Sequence, residues 1–578
     1  MERKRDDCLN LSANAVEILR KRYLSRDPCG RVSETPAEMF ERVASHVSQA
    51  ESRYGGDREV WRAKFLEMME GLEFLPNSPM LMNAGLPLGQ LSACFVLPVD
   101  DSLFGIFEAL KSMALIHQSG GGTGFSFSRL RPRGDVVRAT GGLASGPVSF
   151  MGIFDKATEI IKQSGRRRGA NMGVLRVDHP DIIEFIQAKQ KPGVLENFNV
   201  SVAATDEFMR IARQGGEIDL VNPRTGQAQG RIDAQEIMSS IANCAWRGGD
   251  PGMIFIDRIN ALHPLPGIIE STNPCGEQPL LAYESCNLGS INLAKLVNEG
   301  EMDWVRLEEL VSLAVRFLDD AIDVNRYPLK VIEETTFLSR KIGLGVMGFA
   351  DMLILLGISY GSPEAVQAAE DVMRFISEAA RRTSCKLGLL RGSFPLFEQS
   401  LLTSWPAMRN ATVTTVAPTG TISIIAGTSG GIEPLFALAF MRRALEGEKL
   451  FEVSELFKLA AEARGIYTTG LLEQLARIGS VQGLAGVPKD LQELFVTALD
   501  IPPEQHIRIQ AAFQKFTDNA VSKTVNLPET ATVDDVLRIF SRAYDSGCKG
   551  VTIFRYGCRS QVLYLGNGGT VPGCKYCG

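Results

Sequence analysis

The segment Asn273-Pro274-Cys275-Gly276-Glu277 constrains this chain most tightly. It sets an amide, a thiol and a carboxylate at alternate positions, so an extended backbone would turn all three to one face. Pro274 resists helix and Gly276 loosens the backbone, so a tight loop is an equally good reading. Either geometry needs a scaffold that holds a sulfur, a hydrogen-bonding amide and a base against one small substrate. A second thiol, Cys286, follows closely. The bland alternative is a buried cysteine in a Pro/Gly turn, a common fate for cysteine. It leaves the flanking amide and carboxylate without a purpose.

The rest of the chain offers ample material for such a scaffold. Its 578 residues suffice for several ordinary domains or one very large one. Apolar residues make up 45% and charged residues 22%, as in globular enzymes. The net charge of -6 is poorly suited to coating nucleic-acid phosphates, so basic residues read as local sites and no nucleic-acid partner is expected. Eleven scattered cysteines do not resemble the framework of a small secreted domain. Met1-Glu-Arg-Lys-Arg-Asp-Asp leads into no apolar signal core, and the cytoplasm is the expected location. Gly343–Gly361 is long enough to be a membrane candidate, but it carries Asp351 and five glycines and reads as buried core.

Residues 1–70 carry helical apolar spacing, as in Met39-Phe40-x-x-Val43. From 71 to 545 there is no linker, repeat or low-complexity run. Short β-rich runs alternate there with helical ones: Ala93–Pro98, Asn199–Ala203, Gly252–Ile256 and Thr412–Val416. This is α/β patterning, although the spacing alone does not give a topology. Residues 546–578 are rich in glycine and cysteine and read as a mobile tail.

Asn-Pro-Cys-Gly-Glu-Gln-Pro-Leu at 273–280, with Glu-Ser-Cys-Asn-Leu-Gly-Ser at 284–290, resembles the active-site loop of ribonucleotide reductases. The resemblance runs from about residue 10 to the C-terminus and is closest to class II, the adenosylcobalamin-dependent branch. It implies an α/β fold: a ten-stranded α/β barrel of two five-stranded halves around the Cys275 loop, with an N-terminal helical region and a flexible C-terminal tail. An N-terminal nucleotide-binding cone, common in the family, is not expected, and neither is an overall dATP switch.

By the same resemblance, Cys275 becomes a thiyl radical that takes the ribose 3′-hydrogen. Glu277 accepts the 3′-hydroxyl proton, and Asn273 orients the sugar. Cys286 and Cys94, the latter in Leu91-Ser92-Ala93-Cys94-Phe95-Val96, are the implied reducing pair. If they pair, their Cα atoms must approach within roughly 7 Å. Cys574 and Cys577 form a Cys-x-x-Cys near the end of the chain, which suits electron relay from a thioredoxin-like reductant. A zinc site using Cys548, Cys558, Cys574 and Cys577 competes with that reading, but 548 and 558 are too far apart for a close ligand pair. Class I members need adjacent tyrosines near the C-terminus, whereas Tyr544, Tyr556, Tyr564 and Tyr576 are isolated. Arg555-Tyr556-Gly557-Cys558 is not the glycyl-radical motif of class III. Adenosylcobalamin is therefore the expected initiator. A class I-type subunit and an inactive dNTP-binding paralogue are the alternatives.

Pro418-Thr419-Gly420-Thr421-Ile422-Ser423 resembles the family's substrate phosphate loop; an ordinary Ser/Thr turn is the plain reading. Ser78 and Ser92 are further candidate substrate contacts. Asp101 and Ser102 precede an apolar helical run and suit an N-cap. The resemblance adds a dNTP effector there, met by Asp101, Ser102, Arg131, Arg138 and Arg168, on two apolar helices that form a homodimer interface. No metal-ligand set beyond the zinc alternative is evident. Gly343-Leu-Gly345-Val-Met-Gly348 fits a dinucleotide fingerprint but lacks its βαβ context, so strand packing is the better reading. Gly120–Gly124 lacks the Lys-Ser/Thr of a P-loop and more plausibly ends a helix.

Overall fold

The computed structural model describes residues 9–137, 141–161, 169–444, 448–558, 563–564 and 570–571. The N-terminal part is helical. Helix α1 (Pro36–Val47) starts at a capping box, in which Thr35 and Glu38 satisfy each other's backbone, with proline at the first helical turn. It buries Met39, Phe40, Val43, Ala44 and Val47. Helix α2 (Arg58–Glu70) is capped by Asp57 and buries Phe65, Leu66, Met68 and Met69.

Ten staves then close a barrel, with β1 (Phe74–Pro76) added outside the ring. Five are parallel: β2 (Cys94–Pro98), β3 (Gly122–Ser126), β4 (Asn171–Arg176), β5 (Phe198–Ala204) and β6 (Gly252–Phe255). The second half runs β7 (Ser285–Asn292), β8 (Ile342–Met347), the segment 412–416, β9 (Thr524–Leu527) and β10 (Gly550–Arg555). Segment 412–416 joins by two parallel bridges, Leu344 to Thr414 and Val416 to Val521. The halves meet antiparallel at two seams, β2 against β7 and β6 against β10. The two five-stranded halves are thus present, and β1 pairs antiparallel with β7. The expected boundary at 545 falls too early, because β10 is a barrel stave with Val551 and Ile553 buried. Glycine-rich composition had concealed a strand of alternating burial.

Helices α3 (Leu103–Gln118) and α4 (Pro147–Ile160) cover the first half, and α5 (Trp304–Val324) and α6 (Pro363–Arg391) the second. Phe65 of α2 packs edge-on against Phe317 of α5, with 5.1 Å between ring centroids. Beside them lies a buried ionic cluster. Arg340 reaches Asp319 at 2.7 Å and Asp323 at 2.9 Å, while Arg391 reaches Asp320 and Glu51 at 2.6 Å each. Each buried charge meets an opposite one, the condition under which ion pairs are tolerated in a core. Glu51 belongs to the N-terminal segment, so the cluster ties that segment to the barrel.

The would-be membrane span is strand β8 followed by a short helix, Phe349–Leu355. Among the described residues no helix is long and apolar enough to cross a membrane. Glycines at 343 and 345 serve packing: a Cβ on Gly343 would stand 2.6 Å from Gln278, and one on Gly345 2.3 Å from the Thr415 carbonyl. Gly120 does follow the end of α3, but Gly122 and Gly124 already belong to β3.

Gly124 is the sharpest case, since a Cβ there would lie 1.7 Å from the Thr272 carbonyl oxygen. Gly124→Ala is expected to cost about 3 kcal/mol by overpacking. Gly470→Ala, where a helical glycine faces open space, should instead stabilise by about 0.5–1 kcal/mol. Denaturant midpoints of the two variants check both signs.

Candidate active site

Residues 271–280 form a hairpin inside the barrel, with Ser271–Thr272 paired antiparallel to Pro279–Leu280. The chain reverses between them in a tight turn. The Gly276 N–H donates to the Asn273 carbonyl at 3.1 Å, and Gly276 takes φ +82°, where a side chain would be strained. The loop reading is therefore the correct one of the two. Asn273 closes its base: Oδ1 accepts from the Gln278 N–H at 2.9 Å, and Nδ2 donates to Cys94 Sγ at 3.0 Å.

Three further bonds suspend the loop from the staves. Asn199 Nδ2 donates to the Pro274 carbonyl at 2.8 Å. Thr415 Oγ1 and the Ala520 N–H donate to the Glu277 carbonyl at 2.8 and 2.9 Å. Asn199 and Thr415 each stood in a β-rich run without a function, and Ala520 carried no local signal of this role.

Cys275 is partly exposed at the loop tip, and two cavities reach it. The smaller, of about 120 Å³, is also lined by Asn273, Glu277, Cys94, Asn77, Ser78 and Pro418–Ile422. Glu277 Oε1 stands 3.9 Å from Cys94 Sγ. Cys275, Glu277, Asn273 and Cys94 thus share one pocket with Pro418–Ile422 of the candidate phosphate loop, whereas Cys286 lies outside it. Thr419 adopts φ +52°, and its Oγ1 accepts from the Gly431 N–H at 2.7 Å, holding the loop in shape. Ser78 Oγ lies 2.7 Å from the Tyr23 hydroxyl, a contact from the N-terminal segment that sequence reasoning missed. Ser92 and Ser423 stand behind the wall: Ser92 hydrogen-bonds Asn287 and Asn325, and the Ser423 N–H donates to the Thr419 carbonyl.

Cys94 and Cys286 are direct partners across the β2/β7 seam. Opposed Cα atoms in an antiparallel pair sit about 4.5–5.5 Å apart, within the range a disulfide requires. No disulfide joins them here. Burial pushes the Cys286 thiol far above its ordinary pKa; the Lys341 charge opposes that rise, and Glu284 and Glu277 add to it.

The larger cavity, of about 720 Å³, lies on the other side of the Cys275 tip. Lys191, Arg247, Lys523, Glu433 and Cys558 are on its wall. None of the chain's five histidines lines it. Cys548, the other zinc candidate in the described residues, is fully buried, and burial pushes its thiol up to about 12.

At the start of α3, Ser102 Oγ accepts from the Gly105 N–H at 3.0 Å, the cap expected. Arg131 Nε donates to both oxygens of Asp101, at 3.1 and 2.9 Å, so two effector candidates pair with each other. Arg138, Arg168, Cys574 and Cys577 lie outside the described residues.

A closed ten-stave barrel with a thiol-bearing hairpin inside it, and a dithiol at its seam, defines a barrel reductase built around cysteine chemistry. The ribonucleotide reductase all-alpha domain matches residues 9–89, and the ribonucleotide reductase barrel domain matches 92–405 and 406–554. The chain belongs to the ribonucleotide reductase family. It is 51% identical to the vitamin B12-dependent ribonucleoside-diphosphate reductase of Mycobacterium tuberculosis (strain CDC 1551 / Oshkosh), over 96% of this chain and 81% of that protein. It is 48% identical to the protein of the same name from Thermoplasma acidophilum, over 98% of this chain and 81% of the relative. In fold it is similar to the Actinobacillus ureae class Id ribonucleotide reductase alpha subunit: TM-score 0.78 and 22% identity, covering 95% of this chain and 97% of that one.

The seam geometry makes a direct prediction. Mild oxidation of the purified protein with diamide should link Cys94 to Cys286, seen by peptide mapping without reductant. Cys286→Ser should abolish that linked peptide.

Proposed function

We propose that this chain reduces ribonucleoside diphosphates to 2′-deoxyribonucleotides by cysteine radical chemistry with adenosylcobalamin. The observation that carries the proposal is the placement of Cys275 between two cavities, one of which it shares with Glu277, Asn273 and Cys94. Relatives named vitamin B12-dependent ribonucleoside-diphosphate reductases, about half identical over nearly the whole chain, support the substrate and cofactor.

In this reading the ribose lies in the smaller pocket with its phosphates against Pro418–Ile422 and Ser78. Cys275, as a thiyl radical, removes the 3′-hydrogen. Glu277 takes the 3′-hydroxyl proton, and the 2′-hydroxyl leaves as water. Asn273 holds the sugar while its own carbonyl end stays fixed by the Gln278 N–H. Cys94 and Cys286 supply two electrons and close a disulfide. The balance is one ribonucleotide and one dithiol in, one deoxyribonucleotide, one water and one disulfide out.

The larger cavity would receive the cofactor by its position and its donors: it ends on Cys275 and would offer Lys191 and Arg247 to a phosphate group. When bound, adenosylcobalamin supplies radical initiation, chemistry that belongs to the cofactor.

A dNTP effector is proposed at Asp101, Ser102 and Arg131, with Arg138 and Arg168 completing the site. Leu103, Phe104 and Phe107 on α3, and Ile153 and Ile160 on α4, are exposed apolar residues suited to a homodimer interface. Effector binding and pairing would then be coupled through these helices. The segment beyond the last stave carries Cys574 and Cys577, proposed as the relay from a thioredoxin-like reductant in the cytoplasm. In domain terms, residues to about 70 support a catalytic barrel that ends near Arg555.

The deciding assay is CDP reduction with dithiothreitol, with and without adenosylcobalamin. Deoxycytidine diphosphate should form only with the cofactor, and Cys275→Ser should form none. Product without cobalamin, or only with an added second protein, would overturn the assignment. Independently, Arg131→Ala should lose the dNTP-dependent shift in preference between CDP and ADP; an unchanged shift removes the effector site from this location.

A further inference from the structure

We infer that the disulfide closed between Cys94 and Cys286 is reopened from one side only, at the Cys94 sulfur, and that Lys341 is the positioning cation for the departing Cys286 thiolate. This rests on the reading of Cys94 and Cys286 as the reducing pair.

The two sulfurs are not equivalent. Cys94 lines the substrate pocket beside Asn273 and Cys275. Cys286 has no exposed surface and lies on the wall of neither cavity. An external thiolate arriving through the pocket therefore meets Cys94, and Cys286 becomes the leaving group. A leaving thiolate of high pKa departs slowly, so its surroundings control the exchange rate.

Among the described residues, Lys341 is the cation that bears on Cys286. Side chains alternate along β7, so Glu284, Cys286 and Leu288 project into the same interior. A Cβ on Gly343 would meet Leu288 at 2.6 Å, which puts the inward face of β8 at Gly343 and, two residues earlier, at Lys341. Asn287 opposes Ile342 in parallel register, so Cys286 and Lys341 are the next neighbours along the two strands. The Cys286 thiol also points at the Lys341 carbonyl, 3.7 Å away. Lys341 Nζ is fully buried, 2.6 Å from Glu284 Oε2 and 2.8 Å from His263 Nε2. Burial first, and then the Lys341 charge, lower His263 to about 3, so this ring stays neutral and accepts. The charged groups bearing on Cys286 are thus Lys341, which favours its thiolate, and Glu284 and Glu277, which oppose it. Structural ion pairing alone would explain Lys341 and Glu284, but not their position behind the sulfur of this pair that has no access to solvent.

The exchange balances as follows. The thiolate of an external dithiol forms a bond to Cys94 Sγ as the Cys94–Cys286 bond breaks, and its electron pair stays on Cys286. Cys286 takes a proton. The second thiol of the dithiol then displaces Cys94, which is protonated in turn, and the dithiol closes its own disulfide. Two electrons and two protons pass to the enzyme.

The test uses the full chain, loaded with adenosylcobalamin and oxidised by one turnover of CDP in the absence of reductant. Peptide mapping first establishes the Cys94–Cys286 link; its absence sinks the reducing-pair reading and this inference with it. With the link present, 2-mercaptoethanol followed by rapid alkylation should leave the mixed disulfide on Cys94 and the alkyl group on Cys286. The reverse labelling refutes the direction of attack. Dithiothreitol should reopen the link about tenfold more slowly in Lys341→Gln, and faster than wild type in Glu284→Gln, because the two charges act on the leaving thiolate with opposite sign. A purely structural pair would slow both variants or neither, and either result removes Lys341 from this role. If Lys341→Gln does not fold, the direction of the Glu284→Gln change and the wild-type labelling still decide the matter.

Discussion

The Glu277 carbonyl, held by Thr415 Oγ1 and the Ala520 N–H, is the contact on which the site depends. A loop inside a barrel has little water for its backbone groups, so the staves must satisfy them. Thr415 and Ala520 do this from one half of the ring, and Asn199 does it from the other through the Pro274 carbonyl. Ten staves give an interior wide enough to hold a hairpin, which an eight-stranded barrel fills with side chains. Even so the fit is close. Glycine is required at 124, 343 and 345 because the hairpin or a neighbouring stave occupies the space of a Cβ. Cys275 is presented to two cavities because its loop is gripped from both sides.

The helical N-terminal part does more than cover the barrel. Glu51 enters the buried ionic cluster with Arg391 and Arg316, and Tyr23 reaches Ser78 on the pocket wall. Removing one partner from such a cluster leaves a charge with nothing to meet it, typically at a cost of about 3–5 kcal/mol. The shape of the smaller pocket is therefore coupled to the packing of residues far from the Cys275 loop in sequence.

Much of this was legible before any coordinates. The Asn273–Glu277 motif pointed to its chemistry through its resemblance to the ribonucleotide reductase loop; residue type and spacing alone gave only a thiol between an amide and a carboxylate. The β-rich runs at 93–98, 199–203 and 252–256 fall on β2, β5 and β6, since buried parallel strands read as continuous apolar runs. Other features depend on partners distant in sequence. The run 343–348 fitted a nucleotide fingerprint as well as a packed strand, because a glycine does not say what fills the space beside it. The facing of Cys94 and Cys286 required the antiparallel seam, and the trio of Lys341, Glu284 and His263 gave no local signal. β10 was lost to a compositional reading that weighed glycine and cysteine above the alternation of Val551 and Ile553.

The seam position of the two cysteines has a mechanical consequence. Residues 94 and 286 sit on opposite halves of the ring, so a covalent link between them staples one half-barrel to the other. Cross-linking positions so far apart in the chain removes, in the chain-entropy picture, about 5 kcal/mol of freedom from the unfolded state. The spent enzyme would then be harder to unfold than the enzyme ready to react, and resistance to heat or protease would report its oxidation state.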